Sequence, residues 1–183
     1  PKDIVAGDFY WLEEKDDKIL LASADCTGHG VPGAMVSVVC NNALNRTVRE
    51  FNLDEPAAIL NKVRDIVIDT FNKSGEDVKD GMDIALISFD KKTNILQFSG
   101  ANNSLYLISD GHLQVLAADT QPIGKYAVVK SFTNHVVQLK KGDTFYIFTD
   151  GYVDQFGGEK GKKLKFQGFV DLLMKLKNES MNA

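Results

Sequence analysis

The 183-residue chain has only two cysteines, Cys26 and Cys40. They are too few for a disulfide scaffold, and neither lies in a zinc-ligand spacing. A reducing, cytoplasmic compartment is the simple reading. No apolar run approaches the ~18 residues of a membrane span, and no secretory leader is visible. The expectation is a domain without membrane contact of its own, whether or not its parent protein is tethered. A basic excess is missing too, with 21 Lys and Arg against 25 Asp and Glu and a net charge of −4. Without a basic, aromatic-rich stripe, nucleic acid is disfavoured as a partner. The acidic balance says little about substrate, because a bound metal reverses the local sign of an acidic site. The remaining composition, 44% hydrophobic and 25% charged, is ordinary for a globular protein with one full core. The chain begins at Pro1 without a methionine, so it is read as one domain, residues 1–183, cut from something longer and clipped at both ends.

Repeats, low-complexity segments and a linker are also lacking. Aromatic and β-branched residues from Ile4 to Leu12 predict a strand interrupted by Gly7. Glu13 to Asp17 reads as its turn, and Lys18 to Ala24 as a second, buried strand. Asp25 falls at the end of that strand, ahead of the glycine turn Cys26 to Gly30. Pro32 opens a helix running to about Phe51. Its apolar positions Val36, Cys40, Ala43, Leu44, Thr47, Val48 and Phe51 are widened by Met35, Val38 and Val39. A second helix, capped by Asp54 with Pro56 in its first turn, buries Leu60, Val63, Val67 and Phe71 and packs antiparallel to the first. Lys73 to Gly81 is a polar loop.

Strands then follow at Ile84–Phe89, Ile95–Ser99, Ser104–Ile108 and Leu113–Ala117. Two more, His135–Leu139 and Thr144–Thr149, are expected to pair around Lys140-Lys141-Gly142-Asp143. A last amphipathic helix spans Phe166 to Asn178, with Phe169, Leu172, Leu173 and Leu176 on one face. Helices and strands are segregated rather than alternating, which predicts an α+β fold.

Asp8 and Asp150 each stand beside a glycine, Asp25 stands three residues ahead of Gly28 in its glycine turn, and Asp25 and Asp150 end apolar strands. A carboxylate in such a place is costly without a counter-charge. Hard divalent cations, Mn²⁺ or Mg²⁺, favour oxygen ligands. Two such ions held ~3.5–4 Å apart share a water, lower its pKa and steady an in-line attack on phosphorus. An Asp-Gly pair alone is equally a plain turn, so the reading depends on the three meeting.

Gly7-Asp8-Phe9-Tyr10, Ala24 to Ala34 (Ala-Asp-Cys-Thr-Gly-His-Gly-Val-Pro-Gly-Ala) and Phe148-Thr149-Asp150-Gly151 strongly resemble the PPM-type metal-dependent serine/threonine phosphatases, in their bacterial SpoIIE-like, RsbU-like branch. So do Gly81-Met82-Asp83-Ile84-Ala85, Gly100-Ala101-Asn102-Asn103 and Gln121-Pro122-Ile123-Gly124, so that the resemblance covers essentially the whole chain. It implies an α-β-β-α sandwich of two antiparallel sheets flanked by helical hairpins. It implies that Asp25 bridges two Mn²⁺ or Mg²⁺ ions, with Asp8 and the backbone carbonyl of Cys26 serving one and Asp150 the other. It further implies a phosphoserine or phosphothreonine substrate, typically an anti-sigma-factor antagonist, and an upstream sensor or regulatory domain. Members usually end in a strand with an acidic pair that supplies a further ligand, and no Asp-Asp follows Asn178 here. The arginine that binds phosphate in the eukaryotic branch has no match before Asp8; Lys2 is a substitute or simply a solvated lysine.

His29 is a candidate general acid for the leaving oxygen, or it only shapes its turn. Asp154 is expected to cap or face solvent; Asp83, at the mouth of a strand, is expected to serve a turn or cap, with reach to the metal shell as the alternative. A cysteine-phosphatase mechanism at Cys26 needs a phosphate-cradling loop ending in arginine, and none follows. His112 and His135 read as surface or edge residues. The leading reading is a metal-dependent phosphoprotein phosphatase. The alternatives are a catalytically silent signalling module of the same fold and, more weakly, a metal-dependent nuclease or nucleotide hydrolase. The long helices offer a surface for a homodimer or a regulatory domain, and the core explains them equally well.

Overall fold

A computed structural model describes residues 4–73, 80–157 and 161–179. Lys2, and most of the polar loop expected between Lys73 and Gly81, lie outside the described residues. The chain runs β1 (Phe9–Lys15), β2 (Lys18–Cys26), α1 (Gly30–Arg49), α2 (Pro56–Asn72), β3 (Met82–Asp90), β4 (Ile95–Ala101), β5 (Leu105–Ser109), β6 (His112–Leu116), β7 (His135–Gln138), β8 (Thr144–Tyr146), β9 (Phe156–Gly157), β10 (Lys162–Lys163) and α3 (Lys165–Leu176). One sheet has the order β1-β2-β3-β4-β7 and the other β6-β5-β8, both antiparallel. β9 and β10 form a small separate hairpin.

Strand alternation builds the layers. On β2, Leu20, Ala22, Ala24 and Cys26 turn to one face, and Ile84 and Leu86 of β3 join them. That face packs under Cys40, Ala43 and Leu44 of α1 and Ile59, Leu60, Val63 and Val67 of α2. The opposite face carries Ala85, Ile87, Leu96 and Phe98, which meet Leu105 and Leu107 of the second sheet. The far side of that sheet buries Ile108 against Phe169 and Leu173 of α3. Each such buried aliphatic contributes about 1.5–3 kcal/mol relative to exposure. The result is the expected α+β, α-β-β-α sandwich, with the α1–α2 pair outside one sheet and α3 outside the other.

Several boundaries differ from the sequence expectation. The first strand starts at Phe9 rather than Ile4, and Ile4 is fully exposed. The strand continues through Glu13–Lys15 because those residues ladder with Lys18–Leu20 around a turn at Asp16, which has φ 54°. β2 extends to Cys26, so Asp25 is inside the strand. Met35 and Val38 of α1 are exposed rather than core, and Phe51 lies beyond the helix. Glu55, not Asp54, is the N-cap residue of α2; Asp54 instead accepts a salt bridge from Lys18 Nζ at 2.6 Å.

The largest correction concerns β7 and β8. They do not form a hairpin. β7 pairs with β4 in the first sheet, and β8 pairs with β5 in the second. The turn between them, closed by Lys140 N–H donating to Asp143 Oδ2 at 2.9 Å, carries the chain across the sandwich. Both strands alternate in a way that suits a hairpin, but Val137 and Phe145 each gain burial in the core between the sheets.

Candidate active site

The register of β1, β2 and β3 sets one end of the first sheet. Asp25 stands directly across from Asp83, and Ala24 across from Phe9. Asp8, one residue before Phe9, therefore comes beside Asp25. Ala24 and Cys26 point into the helical layer, so Asp25 points the other way, and Asp83 with it. These carboxylates collect at one end of the first sheet, on the face opposite the helices.

Asp150 reaches the cluster from the second sheet, just past β8. Its neighbour Thr149 donates from Oγ1 to Asp8 Oδ2 at 2.7 Å, a link across 141 residues of sequence. Asn102 Nδ2 donates to Asp83 Oδ1 at 2.8 Å. Thr27 clasps the neighbouring strand end: its N–H donates to Gly81 O at 3.0 Å, and Gly81 N–H donates to Thr27 Oγ1 at 3.1 Å.

The electrostatics are those of crowded acids. Burial pushes the Asp25 carboxyl up from 3.8 to about 7, helped by the charge of Asp8, a hydrogen bond shared with Asp8, and the charges of Asp150 and Asp83. Burial also raises Asp83, aided by Asp150 and opposed by the Asn102 bond. A cavity of about 250 Å³ opens beside Asp25, Cys26, Thr27 and Asp83, walled opposite by Pro122, Ile123 and Gly124. That wall is held close: Met82 and Ile123 exchange backbone hydrogen bonds at 3.0 and 2.9 Å. A Cβ on Gly81 would stand 1.9 Å from Ile123 O, so only glycine fits there. The Cys26 carbonyl faces Gly7, where a Cβ would come within 2.8 Å of it.

The structure thus brings Asp8, Asp25 and Asp150 together as the sequence reading required, and adds Asp83. Asp83 is a strand residue facing Asp25, not a turn or cap. Asn102, Thr149 and Thr27 were missed as supports. The available signals were that Thr149 precedes Asp150 directly and that Asn102 sits in Gly100-Ala101-Asn102-Asn103, where it takes φ 59°. His29 occupies the N-cap of α1 without a side-chain capping bond, is exposed, and does not line the cavity. Asp154 pairs with Lys163 Nζ at 2.7 Å. His135 Nε2 lies 3.0 Å from Ala117 O and its ring stacks on Phe98, an edge role. The Cys26 thiol is buried against Cys40 and pushed far up in pKa by that contact and by burial, which removes it as a thiolate nucleophile.

The donor set fits hard divalent cations in kind and in charge. Every side-chain donor named for the site is a carboxylate oxygen, and among the described residues no Lys, Arg or His lines the cavity to balance them. The carboxylates ring the site without closing on it: among the described residues no group of three His, Cys, Asp or Glu side chains forms a ready-made metal cluster. Among those residues no helix is long and apolar enough to cross a membrane.

No curated protein matches the chain. Among solved structures, the SiaA-PP2C domain of Pseudomonas aeruginosa superposes with a TM-score of 0.86 at 34% identity, covering 100% of this chain and 71% of that one. The RsbU and RsbW domains of a Mycobacterium tuberculosis protein superpose at 0.73 and 21% identity, over 95% of this chain and 46% of theirs. The PP2C phosphatase domain of SpoIIE from Bacillus subtilis, solved with a fragment of its regulatory domain, gives 0.73 and 20%, over 98% and 48%. The sequence model of the Stage II sporulation protein E family matches residues 15–183, and the chain belongs to this SpoIIE family of PPM-type phosphatases.

Proposed function

We propose that this chain removes phosphate from phosphoserine or phosphothreonine on a bacterial signalling protein, and that Asp8, Asp25, Asp150 and the Cys26 carbonyl hold two divalent cations, Mn²⁺ or Mg²⁺, for that purpose. The observation that carries the reading is the cluster itself. Asp8, Asp150 and Asp83 all act on Asp25, beside a cavity that no basic side chain lines among the described residues, and a phosphate dianion is repelled from such a place unless cations occupy it. Bound ions of this kind supply Lewis acidity toward phosphoryl oxygens and acidify water.

The chain's own residues supply the rest. Asp25, hydrogen-bonded to Asp8 and facing Asp83 and Asp150, is the central donor. Thr149 and Asn102 orient Asp8 and Asp83. The Pro122–Gly124 wall limits how the phosphoester enters. His29, exposed at the N-cap of α1, is the candidate general acid for the leaving serine oxygen. An anti-sigma-factor antagonist is the substrate class we favour, because the fold is shared with RsbU and SpoIIE domains; a sensor or regulatory domain would then precede this one in a cytoplasmic signalling chain. The open ligand ring favours a second reading, a silent module of the same fold that binds its partner without turnover.

Phosphate release from a phosphoserine protein, measured with and without Mn²⁺ and compared with Asp25→Asn and Asp150→Asn, separates the two. The phosphatase reading expects metal-stimulated release that both substitutions abolish. Full activity in Asp25→Asn, or no release with any divalent ion, overturns it.

A further inference from the structure

A second cavity, of about 300 Å³, adjoins the carboxylate cluster at Asp150. Asn102, Asn103, Tyr106, Phe148, Asp150 and Phe166 border it. Asp150 belongs to both the cluster and this cavity, and Asn102 reaches from its rim to Asp83. The chemistry proposed above makes no use of the space.

Its aromatic wall is built and held. Tyr106 meets Phe148 edge-on at 5.1 Å, and Phe148 meets Phe169 at 4.5 Å, which anchors the Phe148 ring from behind. Phe166 stands 6.4 Å from Phe148 and is 54% exposed. The start of α3 is tied to the turn that follows Asp150, since Lys165 N–H donates to Val153 O at 2.8 Å and Leu164 N–H to Gln155 O at 3.0 Å. Lys165 itself is held at φ 62°, a conformation that non-glycine residues adopt at a cost. The backbone that carries Phe166 is therefore tied to the turn after Asp150. Asn103 adds a buried Nδ2 for which the structure offers no acceptor. Among the described residues no Lys, Arg or His lines the cavity.

We infer that this cavity is a specificity subsite that receives an apolar or aromatic side chain next to the phosphorylated residue of the substrate polypeptide. The inference rests on the phosphatase reading. Successive Cα atoms are ~3.8 Å apart, so a phosphoester at the carboxylate cluster places a side chain one or two residues away in the adjoining space. Rings and amides favour a planar or aliphatic body there. An acidic one finds no Lys, Arg or His to pair with among the described residues that line the space.

The test uses dye-labelled peptides carrying a phosphonate analogue of phosphoserine, with Phe, Leu, Gly or Glu at the neighbouring position. Fluorescence anisotropy gives their dissociation constants on the wild type, on Phe166→Ala, and on Val136→Ala, a control at the far edge of the first sheet. Phe and Leu peptides should bind about tenfold more tightly than Gly. Phe166→Ala should shrink that ratio below about threefold, and Val136→Ala should keep it. Equal affinities for the four peptides, or a preference that survives Phe166→Ala, overturns the subsite. So does a Phe166→Ala variant whose only change is in self-association by sedimentation. Hydrolysis of p-nitrophenyl phosphate with Mn²⁺ runs alongside. A chain that hydrolyses it without a flanking preference loses the subsite alone, and one that neither hydrolyses it nor binds any phosphonate loses the phosphatase reading as well.

Discussion

Asp25→Asn should make the metal-free protein more stable while ending its activity. In the folded chain the Asp25 carboxyl is lifted from 3.8 to about 7 by burial, Asp8, Asp150 and Asp83. A raised carboxyl pKa means that the folded state binds the proton more tightly than the unfolded state does. Stability contributed by that proton is complete below the unfolded value and is lost as pH rises from about 4 to about 7. At 1.36 kcal/mol per unit the loss has an upper bound of about 4 kcal/mol. Solvent reaches this open cluster and screens it, which brings the expected loss nearer about 2 kcal/mol. Asparagine mimics the protonated acid and escapes the loss. For a chain of this size that is about 4–8 °C in Tm.

The assay is thermal unfolding in EDTA at pH 3.5 and pH 8, for the wild type and Asp25→Asn. The two should melt together at the lower pH, with the variant several degrees higher at the upper one. Added Mn²⁺ should then raise the wild type by binding the folded state and leave the variant nearly unmoved. A variant that melts below the wild type in EDTA at pH 8 would refute the claim that the cluster stores repulsion. Equal stabilisation of both proteins by Mn²⁺ would refute the claim that Asp25 is a principal ligand.

The supports around the cluster give three further expectations. Asn102→Ala frees Asp83 from its 2.8 Å bond and should lower phosphatase activity about 10–100-fold, as losses of orienting partners do, in a phosphate-release assay. Gly81→Ala drives a Cβ to within 1.9 Å of Ile123 O; urea unfolding should show a loss of about 2–4 kcal/mol. Arg64→Leu removes the donors to Lys130 O at 2.8 Å and Asn61 Oδ1 at 3.1 Å. It should reduce stability by about 1–3 kcal/mol, read by the same denaturant titration, and leave the Mn²⁺-induced shift in Tm intact.

Local pattern carried much of this fold and failed where partners are distant. α1 and α2 were readable because Cys40, Ala43, Leu44 and Leu60, Val63, Val67 repeat at helical spacing and are buried. The role of Met35 and Val38 was not readable: hydrophobicity records what a residue tolerates, while exposure depends on what packs above it. The separation of β7 from β8 was equally hidden, since a short polar turn between two alternating strands serves a hairpin or a crossing alike. Asp8, Asp25 and Asp150 stood out because each interrupts apolar surroundings beside a glycine or just ahead of a glycine turn. Asp83 did not, because its meaning lies in the β2–β3 register that sets it across from Asp25. A one-residue slip would send it into the helical layer.

That crossing is what makes the site. Had β7 and β8 paired as a hairpin, both would lie in one sheet, and Asp150 would end a strand with no reason to approach Asp8. Because β8 joins β5 instead, its continuation through Phe148 leaves the second sheet beside the open end of the first. The Thr149–Asp8 hydrogen bond closes the gap. The carboxylates therefore come from both sheets, and their mutual repulsion acts across the interface between them rather than within one ladder. The hydrophobic layer holding the sheets together, Ile87 and Phe98 against Leu105 and Leu107, opposes that repulsion. The burial that stabilises the sandwich is thus the same burial that raises Asp25 and keeps four acids within reach of one another.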